Sequence, residues 1–166
     1  MKKLTKLLSR NDVAETSSHQ AGILIPKYGG FLSFFPYLNS IRLNPDTLLE
    51  FRDKAGNVWE FRFIYYNNAK FGGTRNEYRL TRMTRFLKNN NARSGDGIIL
   101  TCDDNGHYYA KIIKDLSVVE QRGKAEYHEK PYRDIEYDRE YDLIFNEHWK
   151  LTELEVNNDG NSRMSA

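Results

Sequence analysis

The sequence predicts a mainly β fold of the α+β class, in which short strands form an open barrel with two short helices. Three observations favour this class. Apolar and polar residues alternate along several segments, and turn-forming residues recur about every 8–12 positions. Strands do not alternate regularly with long helices, as a doubly wound fold would require.

The size and composition of the chain suit one domain. Its 166 residues are 39% hydrophobic and 13% aromatic. Aromatic side chains bury a large area each, so the mean hydropathy of −0.74 does not indicate disorder. We expect a single domain over residues 1–155. The polar stretch 156–166 has nothing to bury and is expected to be a linker or a disordered tail.

Turn chemistry and alternation predict the elements of the first half. Ile23–Ile25 is predicted to be a short buried strand, and Pro26 suits the first position of a short helix through about Phe35. A hairpin follows, with strands at Thr47–Arg52 and Trp59–Tyr66 joined by residues that tolerate positive φ. One face of its second strand is almost wholly aromatic, which is typical of a strand that faces a core.

The second half is predicted to contain a short helix and another hairpin. The helix is expected from Arg82 to Lys88, with Thr81 as its N-cap. The hairpin pairs Gly97–Thr101 with His107–Lys114, because Asn105-Gly106 between them is a strong turn signal.

Charge is distributed unevenly, although the net charge is only +2. Segment 67–85 has five basic residues against one acid, whereas segment 128–155 has nine acids against four bases. The acids between 134 and 142 alternate at period two and fit a solvated strand edge better than a metal site. We expect this C-terminal region to add a strand or a helix that covers the barrel.

The sequence gives no sign of export or membrane insertion. The N-terminal residues begin like a signal peptide, but Arg10, Asn11 and Asp12 interrupt any apolar core. The single Cys102 excludes an intramolecular disulfide, and no apolar stretch approaches the roughly 20 residues of a membrane span. We expect a cytoplasmic location in a prokaryotic cell and no membrane partner.

Residues 65–79 form the most informative segment, a glycine-hinged loop directly after the aromatic strand. It contains two arginines, a lysine, a glutamate and three asparagines. Arginine can fork onto guanine O6 and N7, glutamate can accept from cytosine N4, and asparagine can pair with adenine. Lysine and threonine mostly hold phosphates. This residue set predicts a loop that reads base edges.

Two segments resemble the N-terminal, effector-binding domain of EcoRII-type restriction endonucleases, which are members of the wider group of B3-like DNA-binding pseudobarrels. One is His-Gln-Ala-Gly-Ile-Leu-Ile-Pro at residues 19–26. The other lies at 65–82 and carries Tyr-Tyr-Asn-x-Ala-x-Phe-Gly-x-Thr-Arg-Asn-Glu-x-Arg-x-Thr-Arg. The order of strands and helices over residues 4–115 is also similar to that family.

The resemblance implies two arms that extend from the barrel into the DNA major groove. By position, the N-terminal arm is about Glu15 to Gly22, and the C-terminal arm is about Lys70 to Arg79. The DNA-binding residues expected from the resemblance and from their chemistry are Arg75, Glu77, Arg79, His19, Lys70, Thr74, Asn76, Gln20, Ser18, Gly73, Tyr78, Lys27, Arg10 and Arg82. Gly73 and Tyr78 stand where a relative has lysines, and Leu24 stands where it has a tyrosine.

These residues also have simpler interpretations. Arg75, Glu77 and Arg79 could form only an internal salt-bridge cluster, which contributes about 0–1 kcal/mol at an exposed site. His19 could belong to an ordinary solvated loop, and Phe71 could either intercalate or anchor the root of the arm. The following basic residues could contact phosphates or be ordinary solvated side chains: Lys27, Arg10, Arg82 and Arg85.

A catalytic function is the competing hypothesis. Pro45-Asp46 and Glu50 resemble part of the Mg²⁺-binding pattern of restriction nucleases, but the spacing is tight and the expected lysine is missing. The four histidines and Cys102 show no zinc spacing, and neither a P-loop nor a nucleophilic triad is evident. We therefore expect no metal, no cofactor and no catalytic residue in this chain.

The predicted function is sequence-specific binding of double-stranded DNA by a monomer, as the recognition or effector domain of a type II restriction endonuclease. The resemblance implies a separate C-terminal nuclease domain in the full-length protein, and a CC/GG-containing site with CC(A/T)GG as the first to test. The alternatives are a small Mg²⁺-dependent nuclease and a B3-like transcription regulator.

Overall fold

The structure is a computed structural model that describes residues 1–15, 22–116, 140–146 and 149–154. Its strands are β1 (Lys2–Leu7), β2 (Ile23–Ile25), β3 (Asp46–Arg52), β4 (Val58–Tyr66), β5 (Glu77–Thr81), β6 (Gly97–Cys102), β7 (Tyr108–Ile113), β8 (Glu140–Asn146) and β9 (Trp149–Leu154). The helices are α1 (Thr84–Asn89) and two 3-10 turns, Phe31–Phe34 and Asn68–Phe71.

All described strands belong to one sheet in the order β2-β5-β4-β3-β7-β6-β1-β9-β8. Neighbours are antiparallel except β3 and β7, which run parallel and pair only at Phe51 with Tyr108 and at Arg52 with Tyr109. Among the described strands no pairing joins β2 to β8, so the barrel is open. The prediction of a mainly β open barrel with few helices is confirmed.

The core lies against the aromatic face of β4. Phe61, Phe63 and Tyr65 are buried there because side chains of a strand alternate between its two faces. Phe51 from β3 and Phe86 from α1 pack against Phe61, with ring centroids 4.9 and 5.4 Å away. Each fully buried ring of this kind contributes about 1.5–3 kcal/mol. Both predicted hairpins are also confirmed, as β3–β4 and β6–β7.

The first predicted helix is wrong in extent. The chain forms only the 3-10 turn Phe31–Phe34 instead of a helix that begins at Pro26. Gly29 and Gly30 adopt left-handed backbone angles, with φ of 75° and 76°. A right-handed helix cannot pass through such residues, so helical structure begins only after them.

The second predicted helix begins two residues late. Thr81 is the last residue of β5, where it pairs with Arg62, and its hydroxyl donates to the Arg62 carbonyl at 3.4 Å. Arg82 then turns the chain with φ of 61°, and Met83 occupies the N-cap position without a side-chain cap bond. Thr81 is therefore not the cap, because strand pairing takes precedence over its capping preference.

Strand β1 has no counterpart in the sequence analysis. It lies between β6 and β9, and Leu4 of this strand and Leu8 directly after it are buried in the core. Lys6 shares that face and is also buried, which conceals the apolar alternation in the sequence.

The C-terminal region contributes strands rather than a helix where it is described. β9 pairs with β1, and β8 pairs with β9, so the two extend the sheet. The acidic positions 134–138, the proposed boundary at residue 155 and the tail 156–166 lie outside the described residues. Within the described residues, no helix is long and apolar enough to span a membrane.

Candidate nucleic-acid interface

The two predicted arms leave the sheet at opposite ends of β5. The N-terminal arm belongs to the β1–β2 connection, residues 8–22, which returns to the sheet where Ile23 pairs with Leu80. The C-terminal arm is the β4–β5 connection, residues 67–76, which returns to the sheet at Glu77. Antiparallel pairing of the short strand β2 with β5 therefore fixes the relative position of the two roots.

The predicted loop 65–79 is shorter in the structure. Tyr65 and Tyr66 end β4, and Glu77, Tyr78 and Arg79 begin β5. These strand residues alternate between faces, so Glu77 and Arg79 lie on the face opposite to Tyr78. Strand pairing continues to the Tyr66–Glu77 pair, which composition alone does not reveal.

Internal hydrogen bonds shape the C-terminal arm. The Asn68 side-chain oxygen accepts from the Arg75 amide at 2.6 Å, and the Ala69 amide donates to the Arg75 carbonyl at 3.0 Å. Gly72 adopts φ of 89°, and a Cβ on Gly73 would come within 2.7 Å of the Asn68 side chain. The arm is therefore a closed turn with both backbone polar groups of Arg75 engaged.

Asn67 anchors the root of this arm. It is fully buried and donates through Nδ2 to the carbonyls of Ser40 and Arg42 at 3.1 and 2.7 Å. Its Oδ1 accepts from the Asn44 amide at 2.7 Å. The side chains of Asn67 and Asn68 thus hold backbone groups of the protein itself.

Asn76 and Lys27 are also engaged with the protein. The Tyr65 hydroxyl donates to Asn76 Oδ1 at 2.7 Å, and Lys27 Nζ donates to the Asn76 carbonyl at 2.9 Å. Both predicted contacts lie at the end of the C-terminal arm. Lys27 joins this arm to the segment that follows β2.

Arg75, Glu77 and Arg79 form an ion-pair cluster at the start of β5. Arg75 Nη2 and Nε donate to Glu77 Oε1 at 2.6 and 3.3 Å, and Arg79 Nη1 lies 3.8 Å from the same oxygen. The exposed fractions of the three side chains are 39%, 31% and 15%. The salt-bridge cluster of the simpler interpretation is present, and Arg75 and Glu77 are its accessible members.

Arg79 is the least accessible member of the cluster. Its Nε is buried and has no hydrogen-bond partner among the described residues. An unpaired buried donor is costly, by about 1–3 kcal/mol, and such groups are rare in folded proteins.

Tyrosine rings lie on both faces of the sheet beside the cluster. The Arg75 guanidinium carbon lies 3.6 Å from the centroid of the Tyr66 ring. On the core face, Tyr78 stacks on Tyr65 at 4.1 Å with an angle of 4° between the rings. Burial raises the pKa of Tyr78, and the neighbouring Tyr65 and Tyr37 raise it further. Lys70 Nζ lies 5.6 Å from the Tyr65 centroid, at the edge of cation–π range.

The remaining predicted contacts are dispersed. Phe71 is 52% exposed, so the interpretation of this ring as a buried anchor is wrong.

The other predicted contacts lie at several places. Gly73 and Thr74 lie exposed in the turn, and Arg10 Nε lies 3.9 Å from Glu15 near the N-terminal arm. Arg82 donates to Glu60 at 3.0 Å, beyond the other end of β5. The last three predicted contacts, Ser18, His19 and Gln20, lie outside the described residues.

A buried ion pair holds the root of the N-terminal arm. Lys6 Nζ donates to Asp12 Oδ2, and both side chains are more than nine-tenths buried. The same oxygen accepts from the Ser9 amide at 2.9 Å, and the Asp12 carbonyl accepts from the Gly22 amide at 3.3 Å. A Cβ on Gly22 would come within 2.7 Å of the Leu80 carbonyl, so this return of the chain requires glycine.

The sequence analysis does not predict the structural role of Lys6 and Asp12. Burial lowers the pKa of Lys6, while the charge and hydrogen bond of Asp12 act in the opposite direction and Arg79 lowers it further. The available signal was the Ser9-x-x-Asp12 spacing, because serine and aspartate three residues apart can bond each other's backbone amides.

The candidate catalytic acids do not converge. Asp46 accepts from Arg62 at 2.5 Å, and Glu50 lies four residues further along β3. In the described part of the chain, no group of three or more His, Cys, Asp or Glu side chains is arranged to hold a metal ion.

Comparison with known proteins gives three findings. The family described as "Restriction endonuclease EcoRII, N-terminal" matches residues 2–133. The type II restriction enzyme EcoRII of Escherichia coli is 44% identical over 80 residues, which cover 46% of this chain and 20% of that enzyme. A solved Arabidopsis FUS3–DNA complex aligns with a TM-score of 0.52 at 22% identity, over 66% of this chain and 94% of that one. This last similarity concerns the fold alone, and it agrees with a B3-like pseudobarrel.

Proposed function

Because the chain belongs to the family of EcoRII N-terminal domains, we propose that it binds double-stranded DNA sequence-specifically, as the recognition or effector domain of a type II restriction endonuclease. The arms would enter the major groove from one side of the barrel. Their roots, at Leu80 and Glu77 of β5, are three residue steps apart, roughly 10 Å, which is within the about 12 Å width of that groove.

The observation that carries the proposal is the hydrogen-bonding capacity left on Arg75 and Glu77. Glu77 Oε1 accepts hydrogen bonds from Arg75 and forms an ion pair with Arg79. Glu77 Oε2 and Arg75 Nη1 have no partner among the described residues. A free carboxylate oxygen can accept from cytosine N4, and the free end of a guanidinium can fork onto guanine O6 and N7. The pair is thus equipped to read neighbouring cytosine and guanine.

This chemistry favours a CC/GG-containing site. A relative of the chain is the EcoRII restriction enzyme, and CC(A/T)GG is the first sequence to test. A monomer would present one asymmetric reading surface and would meet such a near-palindromic site in either of two equivalent orientations. Ser18, His19 and Gln20 of the N-terminal arm would contribute further contacts, as would Lys70, Thr74 and Asn76.

A role in a larger enzyme is a further part of the proposal, and the family supports it. The matched segment spans 20% of the length of the curated relative, so a nuclease domain elsewhere in the full-length protein is part of the proposal. Residues 1–155 would form the DNA-binding domain and 156–166 the linker. The protein would act in the cytoplasm, where a restriction enzyme meets incoming DNA.

Fluorescence anisotropy with labelled duplexes tests the proposal. The chain should bind a duplex containing CCAGG or CCTGG more tightly than duplexes in which one G·C pair is changed, by about 1–3 kcal/mol for each change. Affinity should fall linearly with the logarithm of salt concentration, because phosphates are neutralised. Equal affinity for all duplexes at fixed salt would contradict sequence-specific binding.

The nuclease alternative is tested with the same protein. Incubation with plasmid DNA and Mg²⁺ should leave the plasmid intact. Cleavage that disappears in Asp46→Ala would instead assign the chain a catalytic function, because Asp46 is the first acid of the candidate pattern.

A further inference from the structure

We propose that Tyr66 is a positioning residue for base recognition, which fixes the plane of the Arg75 guanidinium so that its free end faces the DNA. The inference rests on the proposed DNA-binding function and adds a residue outside the set of expected DNA contacts. Tyr66 would act through Arg75 rather than by contacting a base itself.

The position of Tyr66 follows from strand pairing. It is the last residue of β4 and pairs directly with Glu77, the first residue of β5. Paired residues of adjacent strands project from the same face of a sheet, so the ring and the carboxylate stand side by side. Arg75 precedes Glu77 by two residues, and its guanidinium folds back over both.

The guanidinium is held by two contacts, and the Arg75 backbone is held as well. Its carbon lies 3.6 Å from the Tyr66 centroid, which is the separation of two groups in contact. Its Nε and Nη2 donate to Glu77 Oε1, so the Nε side of the fork is occupied. The backbone of Arg75 is held by Asn68 and Ala69. The end that carries Nη1 is the part left without a partner in the described residues.

Fixing this plane matters because guanine is recognised by two parallel hydrogen bonds. A bidentate contact requires the guanidinium plane to align with the base edge. A long, 39% exposed arginine without a ring beneath it would lose rotamer freedom on binding, and a phosphate could capture it in other orientations. The Tyr66 ring removes much of that freedom before DNA arrives.

Two variants separate positioning from simple packing. Tyr66→Phe keeps the ring and should retain the wild-type ratio of affinities for the CCAGG duplex and a duplex with one G·C pair changed. Tyr66→Leu removes the ring and should lower that ratio on the order of tenfold, while the salt dependence stays unchanged because the number of neutralised phosphates is the same. Tyr109→Leu, at an exposed tyrosine of β7, is the matched control and should leave the ratio unchanged.

The effect should require Arg75. In an Arg75→Ala background, Tyr66→Leu should cause no further loss of discrimination, because the group that the ring positions is gone. A loss of equal size in both backgrounds would overturn the proposal, as would an equal loss of affinity for all duplexes accompanied by a lower melting temperature. Both outcomes would assign Tyr66 a packing role.

NMR of the free protein tests the geometry without DNA. A guanidinium that lies over an aromatic ring has its δ-CH₂ and Nε–H resonances shifted upfield, and Tyr66→Leu should abolish that shift while Tyr66→Phe keeps it. If the shift is present but wild-type protein discriminates among no duplexes, the proposed function fails and the inference falls with it. If wild-type discriminates and Tyr66→Leu discriminates equally, only the positioning inference fails.

Discussion

The roots of the two arms are held by different kinds of interaction. At the N-terminal arm, one buried ion pair between Lys6 and Asp12 closes the connection. At the C-terminal arm, ring contacts and amide hydrogen bonds made mainly by Asn67 and Tyr65 hold the root, together with a partly exposed ion pair between Arg75 and Glu77. A buried charge cannot lose its partner without a large penalty, whereas a set of neutral or partly exposed contacts can be lost one at a time.

Asp12→Ala is expected to have the largest effect on stability. It leaves the Lys6 ammonium buried without its carboxylate, which should lower the free energy of unfolding by about 3–5 kcal/mol. Urea denaturation followed by fluorescence measures the change. The double variant Lys6→Met/Asp12→Ala should recover much of the loss, because the buried charge is then absent. Asp104→Ala, at an exposed acid, is the control and should cost under about 1 kcal/mol.

Asn67→Ala tests the amide hydrogen bonds at the root of the C-terminal arm. Three backbone groups lose their partner, at Ser40, Arg42 and Asn44, so the free energy of unfolding should fall by about 2–3 kcal/mol. Chemical denaturation gives this value directly. A loss as large as that of Asp12→Ala would mean that the C-terminal arm also depends on one residue, and the contrast between the arms would disappear.

Arg75→Ala tests function where the previous variants test stability. Specific binding should weaken by about 1–3 kcal/mol, and the preference for G·C at the contacted position should relax. Gel shift or anisotropy at fixed salt provides the measurement. The matched control is Arg52→Ala, at an exposed arginine that ends β3. Equal losses in the two variants would show that Arg75 contributes only charge.

Tyr65→Phe should have the smallest effect. It removes one hydroxyl donor to Asn76 and keeps the ring that stacks on Tyr78, so the loss of stability should be about 0.5–1.5 kcal/mol. Tyr65→Leu removes the stacking as well and should cost more. If both variants cost the same, the ring contact contributes little to the root of the arm.

Local sequence patterns predicted the secondary-structure elements that interactions within a few residues specify. The alternation of Phe61, Phe63 and Tyr65 and the Asn105-Gly106 turn both specify hairpins through interactions within a few residues. The first helix was predicted too long because Gly29 and Gly30 were not recognised as a stop. Strand β1 was missed because Lys6 occupies a core position, and only Asp12 makes that position tolerable.

Period-two alternation, turn residues and side-chain chemistry are enough to predict the mainly β class, the two hairpins and the residue set of the C-terminal arm. The folded chain is needed to place Glu77 and Arg79 on a strand, to bring Arg75 onto Tyr66, and to join Lys6 and Asp12 in the interior. Strand pairing causes this difference. The register of β5 against β4 and β2 brings together residues far apart in the chain, and no pattern within one segment contains that information.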